Sequence, residues 1–386
     1  MDGLVERLSE GLAALEGENL RRRRRVLDSP QGRIVRVDGR ELLNFSSNDY
    51  LGLACDPRLV AAAHRALDAY GVGSGASPLV SGHSRAHEEA EERFAAFVRL
   101  PRALLFPSGY AANLAILTVL GGPDAEVFGD RLNHACLHDG ARLSRATYTR
   151  HAHLDMDGLE RALAASHAAT RIVATDAVFS MDGDVAPLPR MLDLCERYDA
   201  WLVLDDAHGI GVVGATGRGS LEHFALASPR IVYMATLGKA LGGYGALVAG
   251  AAQTIEWMLQ RARTYIFSTA LPPAMAAAAS AALELVSHDG APLARLRSRI
   301  AAFRAACAAH AVPVMPSDTA IQPIVVGEAA RALEASARLL ERGLLVPAIR
   351  PPTVPRGTSR LRVSLSAAHE PEDLERLAAA LAESLG

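Results

Sequence analysis

Residues 235–243 read Ala235-Thr236-Leu237-Gly238-Lys239-Ala240-Leu241-Gly242-Gly243 and follow from the apolar run Ile231–Ala235. An apolar run of that kind, stopped by small residues, reads as a buried strand entering a turn. Among 40 lysines and arginines in the 386-residue chain, Lys239 is the only lysine. A guanidinium stays protonated and cannot serve as a free amine. A desolvated lysine can lose its proton and form a Schiff base with a carbonyl. One lysine left behind by chance is the plain alternative. The small residues around it argue against that, because they give a long cationic side chain little surface to lie on. Lys239 therefore reads as a Schiff-base lysine.

Outward from this strand, apolar runs alternate with helical patterns. Strands are expected at 103–106, 126–128, 172–179, 201–205, 231–235 and 246–249, and helices at 110–120, 156–166 and 188–198. Near-continuous apolar strands between helices define an α/β fold, a mostly parallel sheet covered on both faces. Ligands in such folds sit beyond the carboxyl ends of the strands. Past Pro272 come Ala/Leu/Arg helices, strands at 321–326 and 361–365, a helix at 329–342 and a final helix, a smaller α+β domain. Before the alternation begins, Leu4, Leu8, Leu12 and Leu15 space a helix over about 2–20. A β pair (34–37 and 42–45) turns at Asp38-Gly39, and a helix starts at Pro57.

With 50% hydrophobic and 22% charged residues, the chain has ample core for two domains or one large one. A formal net charge of −3 gives no general reason to expect nucleic acid or an anionic membrane as partner. Four scattered cysteines without a Cys-x-x-Cys pair read as reduced thiols of a cytoplasmic protein. The charged N-terminal stretch MDGLVERLSEGL does not read as a signal peptide, and 272–286 is too short to span a bilayer. The run Arg21–Arg25 has the pattern of a solvated face or a nucleic-acid patch. Isolated on a slightly acidic chain, it fits an anionic small ligand better as a functional reading, with little to choose between that and the solvated face. Gly71-Val72-Gly73-Ser74-Gly75 lacks the leading strand and spacing of a dinucleotide fingerprint, and reads as a loop lying near a ligand.

Two stretches carry chemistry beside the lysine. Leu105-Phe106-Pro107-Ser108-Gly109-Tyr110 runs from strand through turn into helix, whose free N–H groups suit a phosphate; alone, a Ser-capped turn explains it equally well. Leu204-Asp205-Asp206-Ala207-His208 places two carboxylates and an imidazole past a buried strand. With His134 and His138 these could form a metal site of a hydrolase. Alternatively, one carboxylate keeps a ring nitrogen protonated while the imidazole meets a phenolic oxygen. The lone lysine favours the second reading, and no metal is expected.

In combination, NFSSNDYLGL (44–53), SGYAAN (108–113), FSMDGD (179–184), DDAHG (205–209), TLGKALGG (236–243) and IRPPTVP (349–355) resemble the α-oxoamine synthases, pyridoxal-phosphate enzymes of fold type I. The resemblance covers the chain from the arginine run to the C-terminus. It implies a division into 1–45 (helix and β pair), 46–285 (large cofactor-binding α/β domain) and 286–386 (α+β domain). It implies pyridoxal 5'-phosphate on Lys239, Asp205 at the pyridine nitrogen, His208 at the ring oxygen with Ser180 beside it, and His134 stacked on the ring. Ser108, Gly109, Tyr110 and Thr236 would hold the phosphate. Ser268 and Thr269 would reach the phosphate of a neighbouring subunit, in a homodimer with shared sites. Asn48 and Arg362 would hold the amino acid carboxylate; Thr353, His134 and either Arg21 or Arg22 would meet substrate. The implied reaction joins L-alanine to a pimeloyl thioester, carried on coenzyme A or acyl carrier protein, in biotin synthesis. A glycine-using member of the family is the alternative. A metal-dependent hydrolase and a non-catalytic nucleotide-binding protein are the rivals from other classes.

Overall fold

The computed structural model describes residues 2–385. They form two compact units, a larger one of Asp49–Ser180 and Asp184–Ala294, and a smaller one of 2–48, 181–183 and 295–385.

The larger unit is built on a seven-stranded sheet. Its strands are β1 (Arg102–Phe106), β2 (Ala125–Asp130), β3 (Thr147–His151), β4 (Thr170–Asp176), β5 (Ala200–Asp205), β6 (Ile231–Thr236) and β7 (Ala246–Gly250). Their order across the sheet is β1-β7-β6-β5-β4-β2-β3. The pairs from β6 to β3 are parallel, and β7 runs antiparallel to both neighbours. The sheet is therefore mostly parallel, as the apolar runs predict. Leu104, Phe106, Ile116, Val127, Ile172, Val203, Val232 and Val248 form its dry core. Burying each such side chain contributes roughly 1.5–3 kcal/mol before conformational entropy is subtracted.

Parallel order fixes what meets at the carboxyl ends. Register pairs Asp176 on β4 with Asp205 on β5, and Asp205 with Met234 on β6, two residues before Thr236. Helices Gly109–Leu120, Ala135–Leu143, Met156–Ala165 and Leu188–Arg197 lie between successive strands. The turn after β6 closes at Gly242, with φ of 65°. A Cβ there would fall 2.4 Å from the carbonyl carbon of Leu53, so the turn tolerates only glycine.

The smaller unit holds two three-stranded sheets. Ile34–Val37 pairs antiparallel with Arg40–Asn44, and Leu344–Leu345 adds a parallel edge. The Asp38-Gly39 turn has φ of 50° and 74°, the two left-handed residues of a tight hairpin. Ser359–Ser364 is the centre of the second sheet, between Ile321–Gly327 and Ala348–Ile349. The N-terminal helix ends at Gly17, three residues before its expected limit, where the chain turns through Asn19 at φ 58°.

Candidate active site

At the end of β5 the chain presents Asp205 and Asp206 to different surroundings, since adjacent residues of a strand point to opposite sides. Asp205 Oδ2 accepts a hydrogen bond from Asn113 Nδ2 at 2.6 Å, and Oδ1 accepts from the Ala207 N–H at 2.9 Å. A carboxylate has about four lone-pair sites, so two remain for a ligand. Asp206 instead accepts from the Tyr233 hydroxyl at 2.6 Å and the Ser220 N–H at 2.7 Å. Burial pushes its pKa up to about 7 despite those bonds. It anchors the fold.

Lys239 lies just past β6, half-buried, with its Nζ 2.7 Å from His208 Nε2. His208 Nδ1 is 2.7 Å from the hydroxyl of Tyr50, a residue with no exposed surface. Amine, imidazole and phenol thus form one hydrogen-bonded row. The Thr236 hydroxyl donates to the Gly245 carbonyl and accepts from the Gly238 N–H, which shapes the turn carrying the lysine.

Ser108 caps the helix Gly109–Leu120, its Oγ accepting from the Ala111 N–H at 3.1 Å. The ordinary capped turn is therefore present, and it leaves the first two N–H groups of the helix, those of Gly109 and Tyr110, without a partner among the described residues. Gly109 faces Thr236, whose Cβ would lie 3.9 Å from an added Cβ. The Tyr110 hydroxyl donates to Asp139. His134 caps the next helix, Ala135–Leu143, and its N–H donates to Asp176 at 2.7 Å. Burial, and then the neighbouring Asp205, raise the Asp176 pKa well above the carboxylate range.

Ser180 opens a hairpin loop closed by Phe179 N–H donating to the Asp184 carbonyl. His153 fixes the far side of that loop: its ring contacts Asp130 at 3.1 Å and Asp184 at 2.7 Å. Burial opposes its charge, but the hydrogen bonds to both carboxylates win and push its pKa up to about 10. Ser268 and Thr269 line a separate narrow crevice with His83, His87 and Glu91. The glycine loop runs beside that segment, tied by Ser74 Oγ donating to the Leu271 carbonyl and by the Ala270 N–H donating to Ala76.

The smaller unit brings together the remaining expected residues. Arg362, 4% exposed, donates to Asn48 Oδ1 at 3.2 Å and to Ser364 Oγ at 2.7 Å. Arg21 is paired with Glu16 at 3.2 Å, whereas Arg22 reaches the Thr353 hydroxyl at 3.4 Å. Burial and the nearby Arg22 charge both lower the pKa of Arg350. Neither Arg22 nor Arg350 has a carboxylate partner among the described residues.

The two histidines of the metal reading have other partners. His134 is turned to Cys136, and His138 to Tyr148. Among the described residues the only group with metal-ligand spacing is His83, Glu88 and Glu91, which includes neither aspartate of the DDAHG motif. Sequence reading passed over Tyr50, Asn113, Cys136, Asp176 and Arg350. Tyr50 and Asn113 stand inside motifs already singled out, and an inward-facing polar residue in a buried segment is the signal that could have found them.

The aminotransferase class I and II family model matches residues 40–381, and the chain belongs to that family. A serine palmitoyltransferase of S. paucimobilis with bound PLP superposes with a TM-score of 0.92 at 27% identity, covering 98% of this chain and 96% of that one. The sheet and helices are those of fold type I. More specifically, the chain is 56% identical over 374 residues to the 8-amino-7-oxononanoate synthase of Methylobacillus flagellatus, covering 97% and 94% of the two chains. The enzyme of the same name from Nitrosospira multiformis is 54% identical over 378 residues, 98% of this chain and 96% of the relative. An 8-amino-7-oxononanoate synthase structure from Francisella tularensis has a TM-score of 0.77 at 29% identity, covering 89% and 97%.

Proposed function

We propose that the chain is a pyridoxal 5'-phosphate-dependent acyltransferase that condenses L-alanine with a pimeloyl thioester, releasing CO2 and a free thiol to give 8-amino-7-oxononanoate, the biotin-pathway product. The observation that carries it is the placement of the chain's one ε-amine against His208, just past the strand beside the one that ends in Asp205.

The residues fit the cofactor. Asp205 keeps two acceptor sites open for a ring N–H, and the helix start at Gly109, beside Thr236, has N–H groups without partners among the described residues where a phosphate would be held. When bound, pyridoxal phosphate supplies an electron sink for negative charge at the alanine Cα. The protein's own share is positioning and proton movement. Lys239 Nζ accepts the Cα proton, with His208 and Tyr50 fixing where that amine points. The Cα then bonds to the thioester carbonyl carbon and the C–S bond breaks. Alanine's carboxylate leaves as CO2, and a proton takes its place at Cα.

Arg362 and Asn48 would hold the alanine carboxylate by charge-assisted bonds. A pimeloyl chain ends in a carboxylate, and Arg22 with Arg350 is a pair of unneutralised guanidiniums suited to it. Thr353 orients Arg22. Ser268 and Thr269 serve a neighbouring subunit in a homodimer, a reading supported by the exposed apolar side chains Val72, Val80 and Phe267 near that segment. No described helix is long and apolar enough to cross a membrane, and the four cysteines are free thiols. A cytoplasmic setting accords with both.

The test is product analysis of purified protein given pyridoxal phosphate with L-alanine and pimeloyl-CoA or pimeloyl-acyl carrier protein, against glycine with acetyl- or succinyl-CoA. Preference for the glycine pairs would overturn the assignment.

A further inference from the structure

Cys136 is buried, 2% exposed, and is the second residue of the helix that His134 caps. Its Sγ lies 2.8 Å from His134 Nδ1, and its backbone N–H points at the same nitrogen at 3.3 Å. A backbone N–H can only donate, so Nδ1 must be an acceptor. The thiol then donates to it as well, and burial raises the thiol pKa, which keeps that proton in place. On its other side Sγ accepts from Asn113 Nδ2 at 3.1 Å. The same amide nitrogen donates to Asp205 Oδ2 at 2.6 Å. A continuous row of hydrogen bonds, with the amide donating to both sides, therefore joins the carboxylate to the imidazole through an amide and a thiol. His134 Nε2, at the far edge of the ring, has no partner among the described residues.

We propose that Cys136 is a positioning residue that holds His134 as a neutral imidazole with its proton on Nε2, so that His134 meets ligands as a hydrogen-bond donor and never as a base. The surroundings agree. Although His134 keeps exposed surface, loss of water around its ring lowers its pKa; Asp205 and Asp139 raise it, and Lys239 lowers it. Asp176 takes the backbone N–H of His134 and leaves the ring alone. A neutral imidazole beside a single reactive lysine separates the two roles: the lysine moves the proton, and the imidazole directs a polarised oxygen. The inference rests on the cofactor reading above, since it gives the His134 donor something to address.

The experiment is nitrogen NMR on full-length protein labelled with 15N-histidine, with and without added pyridoxal phosphate, the His134 signals being identified by their loss in His134→Gln. At pH 7 the expected pattern is an acceptor-type Nδ1 and a protonated Nε2. Cys136→Ala is expected to raise the His134 titration midpoint by about one unit, because a bond to the neutral form is lost. Cys136→Ser, which keeps a donor, restores most of it. An imidazolium or an Nδ1-protonated ring at pH 7 would overturn the proposal. So would a Cys136→Ala midpoint equal to that of the parent protein. Absence of a visible absorption band on adding pyridoxal phosphate would instead defeat the functional reading, and the tautomer pattern of the unliganded protein would remain interpretable.

Discussion

Lys239 and His208 are hydrogen-bonded to each other, Nζ to Nε2, at 2.7 Å. The amine at the end of β6 therefore has its direction set by a buried imidazole, itself held by Tyr50. With one lysine in the chain, borohydride reduction of cofactor-loaded protein should attach the pyridoxyl group at that side chain alone, as peptide mass mapping would reveal. Lys239→Arg should abolish turnover, since a guanidinium neither condenses with the cofactor nor accepts a proton.

Asp205 and Asp206 should separate cleanly. Asp205→Asn is expected to lower kcat by on the order of 10²–10³, the scale lost when a transition-state charge loses its partner, with thermal unfolding little changed. Asp206→Ala should do the reverse. It leaves the buried Tyr233 hydroxyl unpaired, costing about 1–3 kcal/mol in denaturant unfolding. A crippled Asp206→Asn beside a mild Asp205→Asn would reverse the two assignments.

For the acyl substrate, Arg22→Ala and Arg350→Ala should each raise KM for pimeloyl thioester by roughly tenfold or more, on the scale of one charged hydrogen bond. Cofactor absorption changes on adding alanine should stay as in the parent protein. Arg21→Ala, which breaks only an exposed pair with Glu16, should alter neither.

Glu91 gives a pH signature of stability. Only 9% exposed, its carboxyl accepts from the Leu105 N–H, and burial pushes its pKa from 4.5 up to about 8. The folded state binds this proton more tightly than the unfolded chain. Stability should therefore fall as pH rises from about 4.5 to about 8 and be flat above, with roughly 1.4 kcal/mol per pH unit as the ceiling for one proton. Glu91→Gln should flatten that slope in urea titrations at pH 5 and pH 9.

Apolar runs made the central sheet legible, because β2, β4, β5, β6 and β7 are buried along most of their length. Strand β3 was not. Thr147-Tyr148-Thr149-Arg150-His151 lies at the sheet edge, half exposed and without apolar alternation. The helix Arg85–Val98 hid among glutamates, although Ala86, Ala90, Phe94 and Val98 supply its buried face. In the site, Lys239 stood out by composition and Asp205 by its strand. Asp176 and Asn113 did not, since their partners come from other strands and helices, and sequence spacing carries no trace of that neighbourhood. That Arg22 rather than Arg21 reaches Thr353 could be read only from the fold of the 350–353 loop.

The registered pair Asp176 and Asp205 concentrates acidic groups at the strand ends. Two carboxyl groups face one another across those strands, and burial, then the Asp205 charge, raises the Asp176 pKa well above the carboxylate range. A cationic heterocycle arriving at Asp205 would offset that concentration of acid as well as add contacts. Cofactor supply during synthesis would then act like a folding aid: chains made in pyridoxine-starved cells should melt earlier and be cleared faster than chains loaded as they fold.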